Sequence, residues 1–193
     1  LGQGVRTDVG GTAFDIDGDG WIDQFCGTGW YRNTGKPRTE TFERFDSGTI
    51  DCHDNVAADI NGDGKLDAVD GRVFWFQNQN KARKWKCHLI SADHTKQDFH
   101  SLAVADFDND GDLDAFSGGG PISEAEVRKC FIWENVDGRA GRWKEHVILE
   151  GKRCHEAKAA DVDADGDIDI CFKPWHGDEH VYLRNMLKEN APN

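Results

Sequence analysis

Apolar and polar positions alternate along this chain in short runs, and the runs recur in a fixed order. "HDNVAAD", "HSLAVAD" and "HEAKAAD" alternate small apolar residues with polar ones, the pattern of a half-buried strand. Each leads into a nine-residue acidic phrase. The phrase reads "DIDGDGWID" at 15–23, "DINGDGKLD" at 59–67, "DFDNDGDLD" at 106–114 and "DVDADGDID" at 161–169, with starts 44, 47 and 55 residues apart. A second apolar run follows ("AVDG", "AFSGGG", "ICFKPW"), then an aromatic run closed by Asn ("GWYRN", "FWFQN", "FIWEN", "VYLRN"). Three copies add a fourth run, "TFERF", "WKCHLI" or "WKEHVIL".

A period of this length marks a supersecondary unit that buries its apolar face only by stacking on copies of itself. Four short strands per unit, joined by Gly-rich turns, predict an all-β chain folded as a β-propeller of about four blades. The blades fall near 9–48, 52–92, 99–150 and 154–193, within one domain spanning 1–193. Small Ala and Val suit a crowded innermost strand, and Trp and Phe suit the widening space between blades. The last copy is short of its outer strand: only "MLKENAPN" follows "VYLRN", and residues 1–8 lack the Trp-Lys-x-His pattern of that strand. Three outcomes follow: a closed four-blade ring, an arc of a longer parent chain, or an arc completed by a second copy.

The acidic phrase has the form of a cation loop. Carboxylates at positions 1, 3 and 5 project into one concavity, Gly at 6 permits the reversal, and Asp at 9 closes the shell of a hard cation such as calcium, which takes about six to eight oxygens. Strand patterns rather than helices flank it. The predicted ligands are Asp15, Asp17, Asp19 and Asp23; Asp59, Asn61, Asp63 and Asp67; Asp106, Asp108, Asp110 and Asp114; and Asp161, Asp163, Asp165 and Asp169, for up to four calcium ions. Asn61 keeps an oxygen but removes a charge, so the second site is expected to be filled and weaker.

Charge agrees with this. The chain has 36 acidic and 23 basic residues, a formal charge of −13, and 17 of the acids lie in the four phrases. Four calcium ions would bring the net charge to about −5, an ordinary value for a domain. No basic stripe exists to neutralise phosphates, so nucleic acid is not an expected partner.

The chain resembles the FG-GAP or VCBS repeat family, the calcium-loop propellers of integrin α-subunit heads and of secreted bacterial proteins, through the four phrases just quoted. The resemblance implies a propeller fold with structural calcium; rings of that family usually hold more blades than the four copies here.

Six Cys, at 26, 52, 87, 130, 154 and 171, make an even count without C-x-x-C spacing, which predicts an oxidising compartment and up to three disulfides rather than zinc. Together with calcium loops this leads us to expect an extracellular protein, and, if it is secreted, a mature or trimmed form. No apolar stretch approaches the ~18 residues of a membrane span.

His53, His100 and His155 each stand six residues before a loop's first Asp, while the first copy has Val9 there. They are candidates for a ring of imidazoles at one mouth of the channel, with metal, sugar or proton-transfer roles. In "FKPWHGDEH" (172–180), Lys173, Trp175, His176, Asp178 and His180 put a cation, an aromatic plate and acid/base groups in one loop, suited to a glycan. The loop at 118–129 is also long. His88 and His146 repeat on the outer strand and read as structural. The leading function is a secreted calcium-binding propeller that binds carbohydrate or protein without catalysis. One alternative is a polysaccharide lyase acting on acidic glycans, for which Tyr31 and Tyr182 read as core and Lys158, Lys173 and Arg72 are scattered. The other is an assembly subunit that forms oligomers or fibres through open blade edges.

Overall fold

The computed structural model describes residues 11–26, 29–47, 54–70, 72–94, 96–120 and 124–189, and these contain strands, turns and bends with no helix. Each repeat forms its own antiparallel sheet, its strands adjacent in chain order. Blade 1 is β1 (Gly11–Phe14), β2 (Asp23–Cys26), β3 (Gly29–Arg32) and β4 (Glu43–Asp46). Blade 2 is β5 (Asn55–Ala58), β6 (Asp67–Asp70), β7 (Phe74–Gln79) and β8 (Lys84–Leu89). Blade 3 is β9 (Phe99–Ala105), β10 (Asp114–Gly119), β11 (Lys129–Asn135) and β12 (Trp143–Glu150). Blade 4 has three strands among the described residues: β13 (His155–Ala160), β14 (Asp169–Lys173) and β15 (Val181–Leu183). The acidic phrase joins the first two strands of every blade, as its strand-loop-strand pattern predicts.

The sheets form a four-bladed propeller in which β1 packs on β5, β5 on β9 and β9 on β13. Strand alternation gives each blade two faces, one toward the preceding blade and one toward the next. Three apolar seams result. Phe25 and Trp30 of blade 1 meet Ala68 and Phe76 of blade 2. Val69 and Trp75 meet Ala115, Phe131 and Trp133 of blade 3, and Phe116 meets Ile170 and Phe172 of blade 4. Trp30, Trp75, Trp133, Phe25, Phe76, Phe116 and Phe131 are fully buried; each contributes roughly 2 to 3 kcal/mol by leaving water.

One asparagine reinforces each seam. Asn78 Nδ2 donates to Ile16 O of blade 1 (2.8 Å), Asn135 Nδ2 to Ile60 O of blade 2 (3.0 Å) and Asn185 Nδ2 to Phe107 O of blade 3 (2.8 Å). Each also donates to the eighth loop residue of its own blade, at Leu66, Leu113 and Ile168. Asn33, the first-blade equivalent, makes the own-blade bond to Ile22 O at 3.0 Å.

The outward face of blade 4 differs. Val162 is 54% exposed where its equivalents Ile16, Ile60 and Phe107 are 2%, 1% and 5% exposed. Tyr182, expected in the core, is 45% exposed where Trp30 and Trp75 are each 1% exposed. The apolar alternation is the same; among the described residues, no next blade covers it.

Five cysteines, Cys26, Cys87, Cys130, Cys154 and Cys171, are free thiols, against the expectation of disulfides, and Cys52 lies outside the described residues. Cys130 and Cys154 come together at the seam of blades 3 and 4, where the two thiols share a hydrogen bond and burial pushes the Cys154 thiol far up. Gly118 makes room for them: a Cβ there would lie 2.5 Å from Cys154 Sγ and 3.5 Å from Cys130 Sγ. No helix among the described residues is long and apolar enough to cross a membrane.

Candidate metal centres and ligand site

The loops are built from carboxylates that bind their own backbone. Asp15 accepts from Gly18 N (2.9 Å), Asp19 N (3.0 Å) and Gly20 N (2.8 Å). The first Asp of the other loops repeats this: Asp59 accepts from Asp63 N and Gly64 N, Asp106 from Asp110 N and Gly111 N, and Asp161 from Gly166 N. The fifth carboxylate accepts from the seventh N–H in all four, from Trp21, Lys65, Asp112 and Asp167. Glycine at position 6 is conformational in origin. Gly20, Gly64, Gly111 and Gly166 have φ of +91°, +83°, +99° and +88°, which L side chains rarely adopt.

The ninth Asp is a clamp. Asp114 accepts from Phe107 N at 3.0 Å and from Asn135 N at 2.8 Å, Asp23 accepts from Ile16 N and Asn33 N, and Asp169 from Val162 N and Asn185 N. It thus ties loop, second strand and third strand into one unit. Burial pushes Asp114 up to about 6 and Asp67 up to about 7. At Asp169 burial also acts upward, but the Asn185 N–H, the Tyr182 hydroxyl, the Val162 N–H and nearby Arg184 together outweigh it and hold the carboxyl below its usual value.

Three loops bring ligand oxygens together. Asp15, Asp17 and Asp19; Asp106, Asp108 and Asp114; and Asp161, Asp163 and Asp169 each offer carboxylate oxygens within 4.8 Å of one another. The donor set is all oxygen and anionic, which fits a hard divalent cation. Free capacity is present too: Asp17 Oδ1 and Asp67 Oδ2 are buried and accept no hydrogen bond. The second loop, with Asn61 in place of Asp, forms no three-acid group of this kind.

The positions reaching the loops from outside went unread in the sequence. The residue before each seam Asn lies at or near the end of the third strand, beside the loop. In blade 1 it is Arg32, whose Nε lies 2.7 Å from Asp17 Oδ2 and whose Nη2 donates to Asp19 Oδ2 at 2.7 Å. In blade 4 it is Arg184, paired with Asp163 and, at 3.2 Å, with Asp165. In blade 3 it is Glu134, which pairs with Lys144 and His146 of the outer strand. Only the shared offset from the closing Asn could have signalled them.

Of the three histidines, His53 lies outside the described residues. His100 and His155 meet, with ring centroids 4.5 Å apart, and Trp175 stands edge-on to both, 4.3 Å from His155 and 5.8 Å from His100. The 172–180 loop and the inner-strand histidines therefore form one cluster at the start of blades 3 and 4. His155 is 5% exposed; burial, and then His100 beside it, holds its imidazole below the usual range. Lys173 is its cross-strand partner. Trp175 is 48% exposed, and His176, Asp178 and His180 are exposed. His88 and His146 take structural places, the first stacked on Trp75 at 4.1 Å and the second on Glu134 at 2.5 Å.

Residues 15–69 match the family model described as an FG-GAP-like repeat. That segment is an FG-GAP-like repeat. No curated protein matches the chain. The FG-GAP-like segment takes in loops 1 and 2 and the strands between them, and blades 3 and 4 repeat its clamp and its positive-φ Gly. A four-bladed propeller with an FG-GAP-like repeat is a binding or structural module in general terms.

Proposed function

We propose that this chain is an extracellular propeller that holds calcium in its inner loops and serves as a non-catalytic binding module. One observation carries the reading: a carboxylate triad recurs at the acidic loop of three separate blades. Asp15, Asp17 and Asp19 would hold one ion, Asp106, Asp108 and Asp114 another, and Asp161, Asp163 and Asp169 a third. The ion supplies positive charge between acids that otherwise repel, and so ties each inner turn to its blade. Loop 2 is the weakest site by this reading. Carbohydrate suits the cluster of Trp175, His100 and His155, since an exposed indole offers a face for a sugar ring and imidazoles bond its hydroxyls.

Titration calorimetry with calcium on the full chain tests it, with thermal unfolding in calcium and in chelator. Binding of at least three ions is expected, and each site held at a hundred times its Kd adds about 2.7 kcal/mol. Chelation should then lower the unfolding midpoint by roughly 10 °C or more. No heat and no shift at millimolar calcium would overturn the reading.

A second reading, assembly, is favoured by the uncovered outward face of blade 4 with Val162 and Tyr182. Light scattering behind a size-exclusion column separates the two. A species of 21.6 kDa in calcium supports the binding module, and dimers or larger species support assembly.

A further inference from the structure

The four loops share a phrase but not a charge. Loop 1 has four acids and receives Arg32 on two of them. Loop 2 has three acids and Lys65, 3.1 Å from Asp63. Loop 4 has five acids but receives Arg184 on Asp163 and Asp165 and Lys188 near Asp167, at 3.5 Å. Loop 3 has five acids, and at the position of the two arginines it has Glu134, which lines the same cleft as Asp108 and Asp114. Glu134 pairs with Lys144 and hydrogen-bonds His146, both on the outer strand, and His146 lines the same cleft.

We propose that the residue before the seam Asn grades the cation affinity of the loops: Arg32 and Arg184 are resident counter-ions an incoming calcium must displace, and Glu134 makes loop 3 the tightest site. The proposal rests on the calcium reading above. A divalent ion and a guanidinium seek the same oxygens, so in loops 1 and 4 binding must break an existing charge-assisted pair. In loop 3 the ion meets carboxylates that share their cleft with a further acid, Glu134, which repels Asp108, while Arg184 on the same cleft is paired with loop 4. The ion's arrival relieves that repulsion. The protein then fills in steps: loop 3 at low calcium, loops 1 and 4 only at higher calcium. Arg32 and Arg184 hold the two outer blades' turns together until then.

The experiment compares the full chain with Arg32→Gln, Arg184→Gln and Glu134→Gln. Calorimetry with calcium counts and ranks the sites, and terbium luminescence excited through Trp21, which stands at position 7 of loop 1, follows that loop. Arg32→Gln is expected to shift the terbium midpoint to roughly tenfold lower concentration, the scale of one partly screened charge. Arg184→Gln tightens a second weak step in calorimetry, and Glu134→Gln weakens the tightest step by a similar factor. If Arg32→Gln is poorly folded by circular dichroism, the Glu134→Gln result decides. Unchanged midpoints, or weaker terbium binding in Arg32→Gln with native circular dichroism, would show the arginines to be structural clamps and overturn the grading while leaving calcium binding intact. A wild-type chain that binds neither ion would sink both readings.

Discussion

Blades 3 and 4 begin almost alike, with "HSLAVADFDNDGDLDAF" against "HEAKAADVDADGDIDIC", and they differ in what stands next to them. Blade 3 lies between two neighbours and has strands of seven, six, seven and eight residues. Blade 4 has, among the described residues, one packed neighbour and strands of six, five and three. The second loop residue shows the effect: Phe107 is sealed under blade 4, whereas Val162 at the same position faces solvent. In a stacked repeat, burial is a property of the neighbour as much as of the side chain.

The largest expected effect sets these two positions against each other. Phe107→Ala should cost about 3 kcal/mol and Val162→Ala less than about 0.5 kcal/mol, because only the first opens a cavity. Urea denaturation of both variants checks this, and equal losses would mean that blade 4 is covered in solution. The seam asparagines come next. Asn135→Ala strands the carbonyls of Ile60 and Leu113 and the N–H of Ala140, all bonded by one fully buried side chain. It should cost about 2 kcal/mol, against about 1 kcal/mol for Asn185→Ala, which is only part-buried.

Acid gives a smaller effect. Burial holds His88 and His155 below the usual imidazole range, with Lys86 acting the same way on the first, and His100 and Lys173 on the second against Glu156. Below about pH 6.5 the unfolded chain takes up protons that these rings, His155 buried and His88 half-buried, resist. Their contribution is therefore complete above that pH and is lost as pH falls. The raised Asp67 and Asp114 carboxyls act the other way, gaining protons in the folded state as pH falls. The histidine share is therefore read as a difference: in unfolding curves between pH 7.5 and 5.5 the wild type should lose stability relative to His155→Gln. The smallest change is chemical: in the native protein the exposed Cys87 should react with a thiol reagent. Cys130 and Cys154, fully buried at the seam, should react only after unfolding. Rapid native labelling of Cys154 would show the seam of blades 3 and 4 to be open.

The blades were legible because their signals are local. Alternation, turn residues and a fixed run order specify strands. The acids of the loops were legible for the same reason. What the sequence hid is set by contacts across blades. "FWFQN" ends in an Asn, but nothing local says that its amide reaches Ile16, 62 residues away. Arg32 and Arg184 were passed over because their distance to the acids is fixed by the β2–β3 and β14–β15 pairings. Even cysteine count suggested bridges, yet Cys130 and Cys154 meet as thiols over Gly118, where a glycine rather than a bond makes the space.

Every seam asparagine points the same way along the chain, from a blade to the loop of the blade before it. During synthesis, which delivers the N-terminal end first, each acceptor carbonyl has therefore already emerged when its donor appears. Blades 2, 3 and 4 can each latch onto a finished template without waiting for residues still inside the ribosome. The orientation of one amide, repeated three times, makes the order of translation also an order of assembly.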